Sequence, residues 1–522
     1  MSQITDKLLE SEEGYLDQGS IDINTTIKDD FIIKIYYYYV HKGYYNIIST
    51  QIVNLFTSVF LFTFLLFMFN CLEYGNLFKL EDKDDINNYI NWSNIINFDF
   101  IGWICFITFI FLTVCKIISI ISDINNYYKI KKFYYNKLDI TDSQLASLNW
   151  INIIEKLTKY LNCPTIDVYV ISSKVNARDN YLISLFDSEL FNIKYLSKLT
   201  EWNIKFCIIN SIFTNDNKVN KKILGNEDKL ISKVKSKLKW ISIVNFVFMP
   251  FIILFIFFYS LFKYGEIFYT KPESIGMRNW SLLSQWKLRH YNEIYHIYQE
   301  RLKKGKNLAN LYVNQFPSKI LETFARFVLF ISSSIFLLLL FLTIINENLL
   351  INLNLTPGRP ILWYMGILGT IIAVSKSFIQ DNFIFYPEEK MNEMKDIICY
   401  IPKEWVENAK DFKTKQQFTD LYEYQIISIF KEFYYTLISP FTLWNLTNTI
   451  DEVINFIIVN TEYETNVGYK IKHAIFNKRT AYDTNDDNKS VKSFLNFQEK
   501  YPEWVDNYFN KKNLRINITN EF

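Results

Sequence analysis

The thirty residues from Gly43 to Leu72, with IVNLFTSVFLFTFLLFMFNCL at their heart, carry no charged side chain. About 20 apolar residues suffice to take an α-helix across the hydrocarbon core of a bilayer, and no soluble core asks for an uncharged stretch this long. Lipid is therefore the solvent of this segment. In lipid every backbone N–H and C=O must find its partner inside the chain, and a segment of this length meets that demand as a helix. Five more runs are nearly free of charge. They are Phe100 to Cys115, extended past Lys116 to Ser122; Trp240 to Phe262, with Pro250 near its middle; Phe327 to Asn346; Pro360 to Ser375; and a weaker Phe433 to Ile450, rich in Thr and Asn and carrying Pro440. Half of the 522 residues are hydrophobic although 21% are charged, which is possible only if the two kinds are segregated along the chain.

Counting all six runs as spans sets the charges at odds. The connection 73–99 holds Glu73, Glu81, Asp82, Asp84, Asp85 and Asp99 against Lys79 and Lys83, so it belongs on the lumenal side. The lysine-rich segment 123–239 then lies in the cytosol. If the run 240–262 crossed, the segment 263–326 would be lumenal, yet it holds eleven Lys and Arg. Pro250 also removes a helical donor and clashes with the preceding turn. A re-entrant hairpin that dips in and returns satisfies both observations, and 433–450 with its central Pro440 reads the same way. The expected order is a cytosolic segment 1–42, spans one and two within 43–122, cytosolic 123–239, re-entrant 240–262 and cytosolic 263–326. Spans three and four follow within 327–378, joined by a lumenal loop 347–359. Cytosolic 379–432, re-entrant 433–450 and a cytosolic tail 451–522 complete it. Both termini are cytosolic, and the polar N-terminus has no cleavable signal. Asn91-Trp92-Ser93 in the first lumenal loop is a candidate glycosylation acceptor.

Several chemistries are missing. There is no phosphate-cradling GxxxxGK[ST], no Rossmann glycine pattern, no HExxH and no GxSxG. Six cysteines form no CxxC pair and four histidines are scattered, so neither a zinc site nor a disulfide framework is expected. A balance of 56 basic against 54 acidic residues argues against a nucleic-acid partner. No cofactor, metal or covalent catalysis is expected, and any transport should run downhill.

The polar groups beside the re-entrant runs carry the functional expectation. Lys271 and Glu273 follow the first, with Arg278 just after. Arg289 and Glu293 stand four apart in a helix expected over 280–302, where they can pair. Glu432 opens the second run, and a carboxylate there must be paired or line a wet cavity. These six residues are the candidate lining of a polar path for lipid head groups. A charge at the bilayer centre costs about 2.5–3.5 kcal/mol on insertion scales, and a polar groove removes that barrier without nucleotide. Runs one, four and five offer no central charge, which disfavours an ion or solute channel. A scaffold that only recruits partners is the other alternative.

Ordered segments add a resemblance. FIIKIYYYYVHKGYYNII (31–48), NFVFMPFIILFIFFYSLFKYGE (245–266), RNWSLLSQWKLRHYNEIYHIYQERL (278–302), ANLYVNQFP (309–317), ARFVLFISSSIF (325–336), GRPILWYMGILGTIIAVSKSF (358–378), YIPKEW (400–405) and FKEFYYTLISPFTL (430–443) follow one another as in the autophagy-related protein 9 family. The resemblance covers roughly residues 30–450. It implies an all-α integral membrane protein with four transmembrane helices and two re-entrant helices, assembled as a domain-swapped homotrimer. It further implies energy-independent phospholipid scrambling during autophagosome expansion and partnership with the bridge-like lipid-transfer protein and other autophagy factors. The implied locations are the preautophagosomal structure and autophagosome membrane, Golgi-derived and endosomal vesicles, and endoplasmic reticulum contact sites. The family often carries a charged cluster before the proline that follows its first re-entrant helix. Here that position reads Tyr269-Thr270-Lys271-Pro272, so either the groove is less charged or Glu266 and Glu273 substitute. The tail after Ile450 is short, and its stretch AYDTNDDNKSVKS has the composition of disorder.

Overall fold

The computed structural model describes residues 29–77, 90–161, 166–188, 190, 196–214, 216–220, 225–271, 276–316, 319–356, 359–379, 385–398, 401–476 and 488–504. Glu273 and most of the acidic connection 73–99 lie outside these residues. The chain begins with α1 (Asp29–Val40), turns at Gly43, and enters α2 (Tyr44–Leu66), which the looser turn Phe67–Cys71 extends. Gly43 has φ 112°, and a Cβ there would come within 2.9 Å of the Asp142 side chain, so the turn accepts only glycine. Next comes α3 (Phe100–Lys137), whose 38 residues extend about 57 Å, longer than a bilayer's hydrocarbon core is thick. Phe62 and Phe109 stack face to face where α2 meets α3.

Four shorter helices follow: α4 (Trp150–Leu161), α5 (Val168–Val175), α6 (Ala177–Asp187) and α7 (Lys198–Ile204). Two long helices, each with a proline inside, come later: α8 (Glu227–Thr270) and α15 (Gln425–Val459). Between them lie α9 (Leu282–Lys287), α10 (Tyr295–Asn314), the membrane hairpin α11 (Lys319–Ile345) and α12 (Ile361–Ser377), α13 (Pro387–Ile398) and α14 (Phe412–Leu421). A last helix, α16 (Lys489–Lys500), closes the described chain.

Among the described residues there are three two-stranded antiparallel ribbons, of which the first ties distant segments and the others are local hairpins. In the first, β1 (Arg278–Trp280) pairs with β4 (Tyr422–Tyr424) in the register Arg278 to Tyr424, Asn279 to Glu423 and Trp280 to Tyr422. A hairpin of β2 (Asn354–Thr356) and β3 (Arg359–Pro360) joins α11 to α12. The third pairs β5 (Thr461–Glu464) with β6 (Gly468–Ile471). Three apolar cores result. One gathers α6, the start of α8, the second half of α15 and α16; one gathers α1, the end of α3 and α4; the third gathers α10, α13 and α14 around Trp280.

Two sequence expectations meet a different local structure. The run 240–262 does not turn back at Pro250, because α8 is helical without interruption from Glu227 to Thr270, about 66 Å. Pro440 likewise sits inside continuous α15. A proline removes one hydrogen bond, and in an apolar setting neighbouring helices make up the loss, so the chain has no need to reverse. By length and composition four described helices can cross a membrane: Tyr44–Cys71, Gly102–Lys137, Glu227–Ile267 and Lys319–Ile345. The set includes α8, expected to dip, whereas α12 is a shorter apolar helix of 17 residues, about 26 Å. The polar stretch near the C-terminus is also partly ordered. Lys489–Ser493 forms the start of α16, since Val491, Phe494 and Phe497 recur on one face and seal the first core.

Candidate functional site

The six expected residues do not form one cluster. Lys271 ends α8 on an exposed turn. Arg278 lies in β1 with its guanidinium 3.8 Å above the Tyr424 ring. Glu432 is half-buried in α15 and accepts a hydrogen bond from the backbone N–H of Lys198 at 2.9 Å, which fixes the start of α7 against α15. Asn91 accepts from the Ser93 hydroxyl at 2.5 Å in a short turn before α3.

Arg289 and Glu293 do not pair with each other, and no single helix spans 280–302. The segment between α9 and α10 is a buried turn in which Asn292 adopts φ 56°, a conformation asparagine tolerates. Arg289 instead reaches Asp179 at 2.8 Å and the Asn176 amide oxygen at 3.1 Å, both at the start of α6. Glu293 takes both arms of the Arg301 guanidinium, at 2.7 Å each, while Arg301 also donates to the Ile398 and Leu288 carbonyls. Burial works against the Glu293 carboxylate, but the Arg301 charge and fork outweigh it and hold its pKa below the usual range. His290 beside it is fully enclosed, and burial followed by the Arg301 charge pushes its pKa down to about 3. Asn292 is bonded to Ser173, Asn180 and the Ala474 carbonyl. This network locks α5, α6 and α10 to the turn after β6; its ion pairs close inside the protein, while Arg289 Nε and His290 Nε2 have no hydrogen-bond partner among the described residues.

A second polar set lies where α8, α15 and α7 meet, and the charge pattern gave no sign of it. α8 and α15 run antiparallel: Lys235 pairs with Asp451 at 2.7 Å, the Ser242 hydroxyl donates to the Pro440 carbonyl at 2.5 Å, and Phe257 meets Phe433. α7 joins through the Thr200 hydroxyl, which donates to Ser439 at 3.0 Å. Ser242, Asn245, Thr436 and Ser439 thus line the buried seam of two apolar helices, with Thr200 and Asn203 on its third side. Both polar atoms of the Asn203 side chain, the Asn245 amide nitrogen and the Thr436 hydroxyl have no protein partner. Orphaned groups like these carry a cost of about 1–3 kcal/mol each unless water or a ligand satisfies them. The residue after Ile204 starts a π-helical turn, Lys205–Ile209, the kind of irregularity that re-aims side chains at functional sites. The Thr and Asn content of 433–450 was the one signal in the sequence, and it reads as weak hydropathy unless the partner helix is known. Among the described residues no three His, Cys, Asp or Glu side chains gather as a metal site requires.

Comparisons with known proteins agree on one relationship. The chain is 30% identical over 479 residues to autophagy-related protein 9 of Saccharomyces cerevisiae, covering 86% of this chain and 48% of that one. It is 27% identical over 507 residues to the protein of the same name from Yarrowia lipolytica, covering 91% of this chain and 64% of that one. The chain therefore spans about half the length of the yeast relative. Its fold is similar to the cryo-EM structure of Schizosaccharomyces pombe Atg9, with a TM-score of 0.66 at 23% identity, over 87% of this chain and 99% of that one. The family model described as autophagy protein ATG9 matches residues 24–477, apolar helices and packed cores alike, and the chain belongs to that family.

Proposed function

We propose that the chain is an energy-independent phospholipid scramblase acting in autophagy, and that head groups move along the polar seam between α8, α15 and α7. The observation that carries this reading is the set of buried, unpartnered Asn and Thr groups inside an otherwise apolar helix pair. A zwitterionic head group supplies the acceptors and donors those groups lack, while its tails stay in lipid. Glu432 stands beside this seam, where it holds α7 against α15; Lys271 and Arg278 follow the end of α8, Glu273 lies outside the described residues, and Arg289 and Glu293 serve the seam from behind by holding the adjoining core rigid.

In this reading α2, α3, α11 and α12 cross the bilayer, and both termini are cytosolic. α8 and α15 lie together in the cytosolic leaflet without crossing it, which keeps the lysines before Trp240 and those after Phe262 on one side. The α11–α12 hairpin packs chiefly on itself, and Phe330, Leu337, Phe341 and Ile344 stay exposed. Such a hairpin is suited to exchange between copies in a homotrimer. Phospholipid delivered to one leaflet by the bridge-like lipid-transfer protein would be the cargo, on Golgi-derived or endosomal vesicles and the growing autophagosome membrane.

The test is purified protein in liposomes with fluorescent lipid in both leaflets, reduced from outside by dithionite without nucleotide. Loss of well over half the signal, with a trapped soluble fluorophore still protected, supports scrambling. A plateau near half leaves a scaffold, and loss of the trapped signal indicates a channel. Asn203→Leu with Asn245→Leu is expected to slow lipid transit at least tenfold.

A further inference from the structure

The cytosolic end of α8 has chemistry that the seam does not use. Five lysines fall between residues 229 and 239, and Trp240 then opens 23 uncharged residues. Leu230, Val234 and Leu238 recur every four residues and are buried in the first core, so this stretch is fastened to the protein along one stripe. Its remaining faces carry Lys229, Lys233 and Lys239 outward, with Lys235 and Lys237 half-buried at its flanks. Lys237 donates to Ser211 at 2.8 Å and lies 5.6 Å from the Phe206 ring; Lys239 lies 5.9 Å from the Trp444 ring.

Four aromatic rings from three elements surround this level and stay exposed. Trp202 and Phe206 stack 5.4 Å apart beside α7, Trp240 is 66% accessible on α8, and Trp444 is 49% accessible on α15. Exposed tryptophans interleaved with lysines mark the depth where a bilayer meets water, the ring in the head-group region and the ammonium beside the phosphates. The acidic neighbours are largely occupied: Glu201 pairs with Lys205 at 2.6 Å and Asp451 with Lys235. Glu452 adjoins Asp451, and Glu227 and Asp228 sit at the far start of the helix, about 18 Å before Trp240.

From this juxtaposition we propose that Lys233, Lys237 and Lys239, framed by Trp202, Trp240 and Trp444, form a binding surface for anionic phospholipid head groups of the cytosolic leaflet. The inference rests on the membrane placement of α8 given above and not on scrambling itself. Each lysine near an anionic surface strengthens such binding about fivefold. The surface would enrich anionic lipid at the cytosolic mouth of the seam.

The deciding experiment titrates the purified full chain in detergent with phosphatidylserine or phosphatidylcholine and counts bound lipid by native mass spectrometry. Tryptophan quenching by phosphatidylserine with brominated chains gives a second readout. The expected result is a preference for phosphatidylserine of at least tenfold, lost in Lys233→Gln/Lys237→Gln/Lys239→Gln and kept when the same three become Arg. Should the Gln triple aggregate, Lys239→Gln against Lys239→Arg decides by the same preference. Equal binding of the two lipids by the unaltered chain, or an unchanged preference in the Gln variant, overturns the proposal. Competition by millimolar inorganic phosphate also overturns it, since the site would then take a free phosphate. Dithionite assays on the same preparations read lipid transit separately, so failure of one idea does not imply failure of the other.

Discussion

Arg301 is the side chain on which the packing of α10 against α13 turns. One guanidinium joins Glu293, the end of α13 and the turn before α10, so removing either charged partner leaves the other buried and unpaired. Glu293→Gln is expected to destabilise the protein by about 3–5 kcal/mol, read as a large fall in melting temperature in detergent. Asp179→Asn should cost much less, because Asp179 is only partly buried beside Arg289 and water can replace it. Acid should strike the same neighbourhood. His290 is depressed to about 3 and His296, mainly by burial, to about 4, against 6.5 for a free imidazole. The folded state binds fewer protons there than the unfolded chain, so this stability is present above pH 6.5 and drains away as pH falls from 6.5 toward 4. Thermal melts across that window should fall with pH, and His296→Phe, which cannot take the proton, should flatten part of the slope. The charge pairs themselves were not legible in the sequence. Spacing of four placed Arg289 and Glu293 on one imagined helix face, but a buried Asn292 with positive φ breaks that helix and sends the two side chains to different partners.

Helices were easier to read than their bends. The uncharged runs located α2, α3, α8, α11 and α12 because lipid demands length and apolarity together, and both are visible in a one-dimensional string. The course of α8 at Pro250 was not, since the cost of a proline depends on what the neighbouring helix offers. The polar seam was hidden for the same reason: Asn203, Asn245 and Thr436 become a group only when three separate elements pack. Removing these orphans separates their two possible roles. Asn203→Leu and Asn245→Leu should leave melting unchanged or raise it, since an unsatisfied amide is lost from a buried site. Were these residues structural props, the variants would unfold earlier. Packing elsewhere leaves little room: a Cβ on Gly305 would sit 2.9 Å from Ile398, where α10 crosses α13. Gly305→Leu is therefore expected to part those helices and lower the melting temperature by several degrees, with increased proteolysis of 385–398 as the accompanying sign.

At the scale of the molecule, the fold class and the relation to the ATG9 family could both be read from ordered segments, because each satisfies a packing or membrane constraint at a fixed place in the chain. Assembly could not, since the faces that meet a second copy look in sequence like faces that meet lipid. The exposed flank of the α11–α12 hairpin makes the question testable. Leu337→Cys combined with mild oxidation or a short bifunctional thiol reagent, on a background with the exposed Cys115 replaced by Ser, is expected to give linked pairs of chains, since each thiol can join only one neighbour. A monomeric product would place that flank against lipid.

The β1–β4 ribbon has a mechanical side. It clasps the chain just beyond the C-terminal end of α8 to the segment that leads straight into α15, and Arg278 lies flat on Tyr424 across the clasp. The two helices are therefore bound at both ends, like staves under two hoops. At the end away from the ribbon, Leu230, Val234 and Leu238 of α8 are buried in one core with Ile450, Val453 and Ile457 of α15, and the exposed contact of Lys235 with Asp451, which salt readily loosens, lies over it. Any opening of the seam is thereby confined to the stretch between the ribbon and that core.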